Sequence, residues 1–241
     1  MLKMLKRQIQ GFTYLLSHPL QLKHIIIRET RYGQRHRSKR RWMEWQKYDA
    51  HMHIRMMQAH AHAVRASSLN VARVQTVSDM VSRLGNGLRV LDVGCGDGVI
   101  SEPIWKMGNY VISLELPKIA TLANRCRVPL VVAGDAEQLT FASNSFDVVL
   151  ASEVVEHLWN PHNFLNEVHR VLRANGHLII STPEGREGLR YDSHKYYFTV
   201  ESLRQMLGAR FTVCEVKHLK PTGAPTPTII LLLRKSMITK N

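Results

Sequence analysis

Val90–Ser101 reads VLDVGCGDGVIS, an apolar run of strand length that passes directly into three glycines in five residues. Glycine permits backbone angles closed to other residues, and it removes the side chain that would hold a ligand away. A strand, a glycine loop and then a helix form a ligand-binding edge in many α/β proteins. The neighbouring segments support that reading in both directions. Upstream, Leu69, Ala72, Val77, Met80, Val81 and Leu84 recur at helical spacing, and Gly85 ends the run. Downstream, a helix through Ile104 and Trp105 leads to a second strand over Tyr110–Glu115.

Third and fourth strands are expected over Val128–Asp135 and Ser145–Ser152. Asn160 and Pro161 suit the cap and first position of a helix that carries Phe164, Leu165, Val168, Val171 and Leu172 on one face. Asn175-Gly176 closes that helix, and HLIIST, stopped by Pro183, is the fifth strand. Thr199 caps a further helix that Gly208 ends. Two last strands, FTVCEVKHL and TIILLLRK, flank the turn-rich KPTGAPTP and suit an antiparallel hairpin. The expected fold is α/β. It is a Rossmann-like, seven-stranded, doubly wound sheet with a C-terminal antiparallel hairpin over residues 69–241. A basic, helical N-terminal extension over residues 1–68 precedes it, and the ligand crevice lies at the carboxyl ends of the strands.

Charge is uneven along the chain. The residues before Leu84 hold 16 of the 33 Lys and Arg but 4 of the 19 Asp and Glu. The remainder is nearly neutral. The densest basic stretch carries Arg31, Arg35, Arg37, Lys39, Arg40 and Arg41, which suits phosphate groups of RNA or of an anionic membrane surface. A solvated arm is the competing reading. Three cysteines, odd in number and without a CxxC pair, favour a reducing compartment and neither a disulfide framework nor a zinc site. The apolar stretch Phe12–Ile27 is interrupted by His18, Pro19, Gln21, Lys23 and His24, so no transmembrane segment is expected. The first residues lack a signal-peptide core. The expected location is cytoplasmic, with peripheral attachment to a membrane as the variant that the arm allows.

The loop itself is Gly94-Cys95-Gly96-Asp97-Gly98, and Val99 stands where a dinucleotide fingerprint would place its third glycine. That departure disfavours a nicotinamide dinucleotide. Glu115 ends the second strand, where it can accept hydrogen bonds from a ribose diol. Asp135 and Ala136 follow the third strand, where an adenine would lie, and Asp92 lies near a ligand ammonium. On these residues, over roughly Leu69–Lys235, the chain resembles the class I S-adenosylmethionine-dependent methyltransferases. The resemblance implies S-adenosyl-L-methionine as the donor. It places Gly94, Gly96 and Gly98 at the methionine part, Glu115 on the ribose and Asp135 on the adenine, with Asp92, Ala136 and Ser152 as neighbours.

Methyl transfer needs alignment, exclusion of water and, for a hydroxyl acceptor, removal of a proton. The candidates for that work are Glu153, Glu156 and His157, spaced i, i+3, i+4, which share a face if Glu153 opens a helical turn. His194 lies in a later polar loop able to fold over the same crevice. A general-base histidine oriented by carboxylates fits this set, and so does a divalent metal such as magnesium held by Glu153, Glu156, His157 and His194. The segment resembles the ubiquinone-biosynthesis O-methyltransferases. It also resembles the small-RNA 3′-terminal 2′-O-methyltransferases, which hold a metal through a similar cluster. The expected function is therefore O-methylation of a small-molecule, lipid-linked or glycan acceptor. The alternatives are an RNA 2′-O-methyltransferase and a non-catalytic adapter that binds nucleic acid or membrane through the arm. His51, His53, His60 and His62 lie on a predicted polar helix without metal-binding geometry, near Trp42, Trp45 and Tyr48.

Overall fold

A computed structural model describes residues 38–44, 46, 68–117, 120, 130–185, 194–220 and 227–237. The chain divides into two compact units, Met1–Trp45 and Gln46–Asn241. In the first unit, residues 39–44 are helical and Trp42 is fully buried. Arg31, Arg35, Arg37, Trp45, Tyr48 and the histidines at 51, 53, 60 and 62 lie outside the described residues.

In the second unit, strands β1 (Arg89–Val93), β2 (Tyr110–Glu115), β3 (Val131–Ala133), β4 (Phe146–Ser152), β5 (Leu172–Pro183), β6 (Phe211–Leu219) and β7 (Thr228–Lys235) form one sheet. Its order is β3-β2-β1-β4-β5-β7-β6. The first five strands pair in parallel, and β7 runs antiparallel to both β5 and β6. This is the Rossmann-like doubly wound sheet and C-terminal hairpin read from the sequence.

Strand alternation explains why the central strands are apolar throughout. Leu91 and Val93 of β1 enter one core layer, and Val90 enters the other. Ile229, Leu231 and Leu233 of β7 join the first layer, while Ile230 and Leu232 join the second. Both faces are covered, so polar alternation would leave unpaired groups in a core. Helix α1 (Ser68–Ser82) brings Val77, Met80 and Val81 to the second layer, and α2 (Ser101–Lys106) brings Ile104. Helix α3 (Pro161–Val171) buries Phe164, Leu165, Val168 and Val171 in the first layer, and α4 (Val200–Leu207) adds Leu203 and Leu207.

The caps match the sequence reading. The Asn160 side chain accepts from the backbone N–H groups of His162 and Asn163, with Pro161 at the first helical position. Thr199 and Ser202 form a capping box at the start of α4. Asn160→Ala should therefore lower stability by about 1 kcal/mol. Urea unfolding followed by circular dichroism measures this, and an unchanged midpoint would show that the cap contributes nothing.

Asn175-Gly176 has a different role from the expected one. Helix α3 stops at Val171, and Leu172 already has an extended backbone as the first residue of β5. The pairing of β5 with β4 then jumps from Phe146–Leu172 to Val148–His177, so residues 173–176 bulge from the ladder. Asn175 takes φ +61°, and a Cβ on Gly176 would lie 3.0 Å from the Arg173 carbonyl oxygen. The pair serves a bulge in a strand, and no helix end needs it. Strand β3 is also shorter than expected. Its three residues suffice to pair with Ser113–Glu115, and the part of the expected strand over residues 128–129 lies outside the described residues.

Candidate active site

The sheet order puts the carboxyl ends of β1, β2, β4 and β5 side by side, and the candidate side chains gather there. Gly94, Gly96 and Gly98 all have positive φ, at +70°, +54° and +79°. The loop is fastened to β2: the Gly94 and Cys95 N–H groups donate to the Leu114 carbonyl at 2.8 and 3.2 Å. Gly96 N–H donates to Glu115 Oε2 at 3.0 Å, and Leu116 N–H to Oε1 at 2.7 Å. Burial raises the Glu115 carboxyl above its ordinary pKa, and these two donors oppose that rise.

The glycines differ in what surrounds them. A Cβ on Gly94 would lie 2.6 Å from Val154 Cγ2, so this glycine lets the post-β4 segment pack onto the loop. A Cβ on Gly96 would meet nothing within 4 Å. Gly96 therefore faces open space beside a fastened loop. Asp135 follows β3 and turns back on its own backbone, with Oδ1 accepting from Glu137 N–H at 2.9 Å. Ala136 beside it is buried in the first core layer. Asp92 is buried, accepts from Ser101 Oγ, and has its carboxyl raised to about 7, chiefly by burial.

Beyond β4, the geometry departs from the expected helical turn. Glu153 has φ +58°, and the helical turn that follows is a 3-10 turn covering Val155–His157. Glu153 is therefore not part of that helical turn, and its carboxylate lies outside the group that Glu156, His157 and His194 form. Its N–H donates to the Ser181 carbonyl at 2.9 Å, and its Oε1 accepts from Ser181 Oγ at 2.9 Å. Ser152 Oγ lies 2.8 Å from the same hydroxyl. Thr182, next along β5, points to the opposite face and donates to Glu156 Oε2 at 3.0 Å. Two successive hydroxyls thus hold the two acids separately.

Glu156, His157 and His194 do come together: one ligand atom from each lies within 4.8 Å of the others. Glu156 is 1% exposed, and its Oε1 has no hydrogen-bond partner among the described residues, although His157 Nε2 lies 3.8 Å away. Burial, reinforced by the Glu153 carboxylate, raises the Glu156 carboxyl well above the ordinary range. The His194 ring meets His157 edge to face, with centroids 4.8 Å apart. Burial and then His157 lower its pKa to about 3, so His194 is a neutral imidazole at physiological pH.

Several residues of this site were not singled out from the sequence. Arg73 of α1 is 13% exposed at its side chain, and its Nη1 lies 3.4 Å from Glu153 Oε1. Its Nε is buried without a hydrogen-bond partner among the described residues. The available signal was spacing: Arg73 precedes Val77 and Val81 by four and eight residues, a cation on the helix's core-facing stripe. A polar clasp also joins three loops. Glu137 Oε1, after β3, accepts from the Trp159 and Asn160 N–H groups at 2.6 and 3.0 Å. The Trp159 carbonyl accepts from Lys195 Nζ at 2.7 Å and Tyr196 Oη at 3.1 Å. The Glu156 carbonyl accepts from the Lys195 and Tyr196 N–H groups at 2.7 and 3.2 Å. This clasp seats His194 against His157, and periodicity cannot reveal contacts between loops.

An antiparallel β7 between β5 and β6 separates this sheet from the dinucleotide-binding arrangement, as does the missing third glycine of the loop. Both fit the fold expected from the resemblance to the class I S-adenosylmethionine-dependent methyltransferases. Residues 91–180 match the methyltransferase domain family. A ubiquinone biosynthesis O-methyltransferase of Azorhizobium caulinodans is 38% identical over 102 residues, 40% of this chain and 40% of that protein. A probable S-adenosylmethionine-dependent methyltransferase of Mycolicibacterium smegmatis is 36% identical over 99 residues, covering 40% and 38%. The chain thus spans about 40% of the length of the curated relatives it matches. In fold it is similar to an N-methyltransferase of Bradyrhizobium japonicum in complex with S-adenosylhomocysteine, with TM-score 0.64 and 16% identity over 78% of this chain and 99% of that one. It is also similar to the Burkholderia thailandensis 1,6-didemethyltoxoflavin-N1-methyltransferase, with TM-score 0.63 and 22% identity over 80% and 90%.

The residues present fit the donor of this class. Gly96 leaves open the space that a side chain would fill, and the buried Arg73 Nε can donate to a carboxylate such as that of the methionine part. Among the described residues, no helix is long and apolar enough to cross a membrane.

Proposed function

We propose that this protein transfers a methyl group from S-adenosyl-L-methionine to a hydroxyl of a small-molecule, lipid-linked or glycan acceptor. The observation that carries the reading is adjacency. Val154, which touches the glycine loop at Gly94, stands two residues before Glu156 and three before His157. The donor loop and the cluster able to take a proton therefore share one edge of the sheet. When bound, the donor supplies an activated methyl on a sulfonium that is already a good leaving group.

The chain's own residues bind, orient and move the proton. Gly94, Gly96 and Gly98 let the backbone approach the donor, and Arg73 takes its carboxylate. Glu115 accepts from the ribose hydroxyls, while the Asp135–Ala136 turn borders the adenine. His157, with its side chain 25% exposed, is the ring that reaches the crevice and takes the acceptor's proton. Glu156, held by Thr182, lies beside the resulting imidazolium and stabilises it. His194 stays neutral at its edge and fixes the ring's orientation.

A second reading is favoured by the unpartnered Glu156 Oε1 facing two imidazoles. Glu156, His157 and His194 would hold a divalent cation such as magnesium, with Glu153 outside that set unless its chain reversal rearranges. A cation there would lower the pKa of an acceptor hydroxyl. An RNA 2′-hydroxyl belongs to this reading, with the basic arm as the contact to phosphates.

The test of the main reading is a mass-resolved screen of lysate supplied with methyl-labelled donor and the purified protein, where a labelled hydroxyl product is expected. Absence of any labelled product would overturn it. Donor binding is tested separately. Glu115→Ala should weaken S-adenosylhomocysteine binding about tenfold or more, since hydrogen bonds to a charged group are worth about 1.5–3 kcal/mol. Calorimetry with unchanged affinity in a folded variant would remove Glu115 from the donor site.

A further inference from the structure

Most of the chain's excess charge lies in the unit Met1–Trp45, which holds 11 of the 33 Lys and Arg but 2 of the 19 Asp and Glu, or +9 of the chain's +14. The described part of this unit is a short helix over residues 39–44. Ser38 opens it, and the Ser38 carbonyl accepts from Trp42 N–H at 3.0 Å. Trp42 is fully buried, whereas Arg40 and Arg41 are exposed and enter no ion pair among the described residues. Cations in the first turn of a helix oppose its dipole, where folding alone favours acids. Folding does not account for these charges.

A polyanion would need only the cations, but the sequence ahead of them carries more. Leu2, Leu5, Ile9, Phe12 and Leu16 recur at spacings of three and four, the period of one helical face. On the same period Lys3, Lys6, Arg7 and Gln10 fall together on another face. No acidic residue occurs before Glu29, and Ile25, Ile26 and Ile27 add further aliphatic side chains. Such a segment is too interrupted to span a bilayer. It suits the bilayer interface, with aliphatic side chains among the acyl chains and cations at the lipid phosphates. Aliphatic side chains gain little from nucleic acid, which is held through phosphate contacts and aromatic stacking. We propose that Met1–Trp45 docks this protein onto an anionic membrane surface. Its apolar residues enter the interface, and Arg31, Arg35, Arg37, Lys39, Arg40 and Arg41 engage lipid phosphates. Attachment brings the catalytic unit to acceptors that reside in a bilayer, the lipid-linked class among those proposed above.

The test is co-sedimentation of the full chain with vesicles of phosphatidylcholine alone and of phosphatidylcholine mixed with phosphatidylglycerol. Binding is expected to the mixed vesicles only, and it should fall steeply with added salt. Arg40→Gln combined with Arg41→Gln should weaken it about 30-fold, since each cation near such a surface is worth about fivefold. Both side chains are exposed, so this variant keeps its fold. Ile9→Ser combined with Phe12→Ser should weaken vesicle binding about tenfold or more. Any retention of a single-stranded RNA oligonucleotide, which depends on charge, should be unchanged in that second variant. No sedimentation with mixed vesicles at low salt, or equal sedimentation with both kinds of vesicle, overturns the inference. So does undiminished vesicle binding in either variant. Retention of the RNA without binding to vesicles also overturns it, and gives the arm to the RNA reading. If circular dichroism shows that the Ile9 and Phe12 variant does not fold, the two vesicle compositions and the arginine variant still decide.

Discussion

Gly96→Ala should yield a folded protein that binds S-adenosylhomocysteine at least about 100-fold more weakly, a loss of about 2.7 kcal/mol. The two halves of this expectation have separate causes. The new methyl meets no protein atom within 4 Å, so packing is undisturbed. At φ +54° an L-residue costs about 1–2 kcal/mol of backbone strain, which a small loss of thermal stability would register. In the proposed donor site, the methyl fills the open space beside the Gly96 backbone. Gly94→Ala is the informative contrast. Its methyl would sit 2.6 Å from Val154 Cγ2, so that variant should lose stability and binding together. Calorimetry and thermal unfolding on both variants separate the roles, and unchanged affinity in Gly96→Ala would move the donor away from this loop.

The second large effect is expected on turnover. With the acceptor returned by the labelled screen, His157→Ala should lower the rate by about 10²–10⁴-fold, the usual worth of a positioned base. Affinity for S-adenosylhomocysteine should persist, because the proposed donor contacts are made by the glycine loop, Arg73, Glu115 and the Asp135–Ala136 turn and not by His157. Chelation separates the two readings of the cluster. If His157 acts as the base, chelators leave the rate unchanged and Glu156→Gln reduces it less than His157→Ala does. If a cation is held, chelation stops turnover, added magnesium or manganese restores it, and His194→Ala is as damaging as His157→Ala. Because His194 is held neutral down to about pH 3, its protonation cannot account for a rate step between pH 5 and 8. Near-normal rates in both histidine variants would leave alignment alone to carry the chemistry.

Sequence pattern revealed the fold because each strand's burial is dictated by its neighbours. Strand β7, TIILLLRK, can be apolar at five successive positions only if both its faces are covered, and both core layers draw on it. The loop's conformation was equally legible, since all three glycines take the positive φ that glycine allows. The post-β4 segment was less so. Spacing identified Glu156 and His157 as neighbours, but nothing in the sequence says that Glu153 takes a left-handed backbone. Arg73 escaped notice because a single cation on an apolar helix stripe looks like a boundary residue until its partner Glu153, eighty positions away, is known. Asn175-Gly176 shows the reverse case. A dipeptide that usually ends helices was read as a stop signal, whereas the ladder uses it as a bulge.

The clasp among Glu137, Trp159, Asn160, Lys195 and Tyr196 constrains how this protein can diversify. Loops at the carboxyl edge of an α/β sheet ordinarily vary one at a time, which lets a stable scaffold acquire new acceptors in small steps. Here the loops after β3, β4 and β5 are bonded to one another through main-chain groups as well as side chains. A lengthened loop after β5 would withdraw Lys195 and Tyr196 from Trp159 and uncouple His194 from His157. A changed loop after β3 would displace Glu137 and free the Trp159 backbone. The three loops therefore change as a unit, and a new conformation of one requires compensating changes in at least one of the others or substitutions that leave the clasp intact.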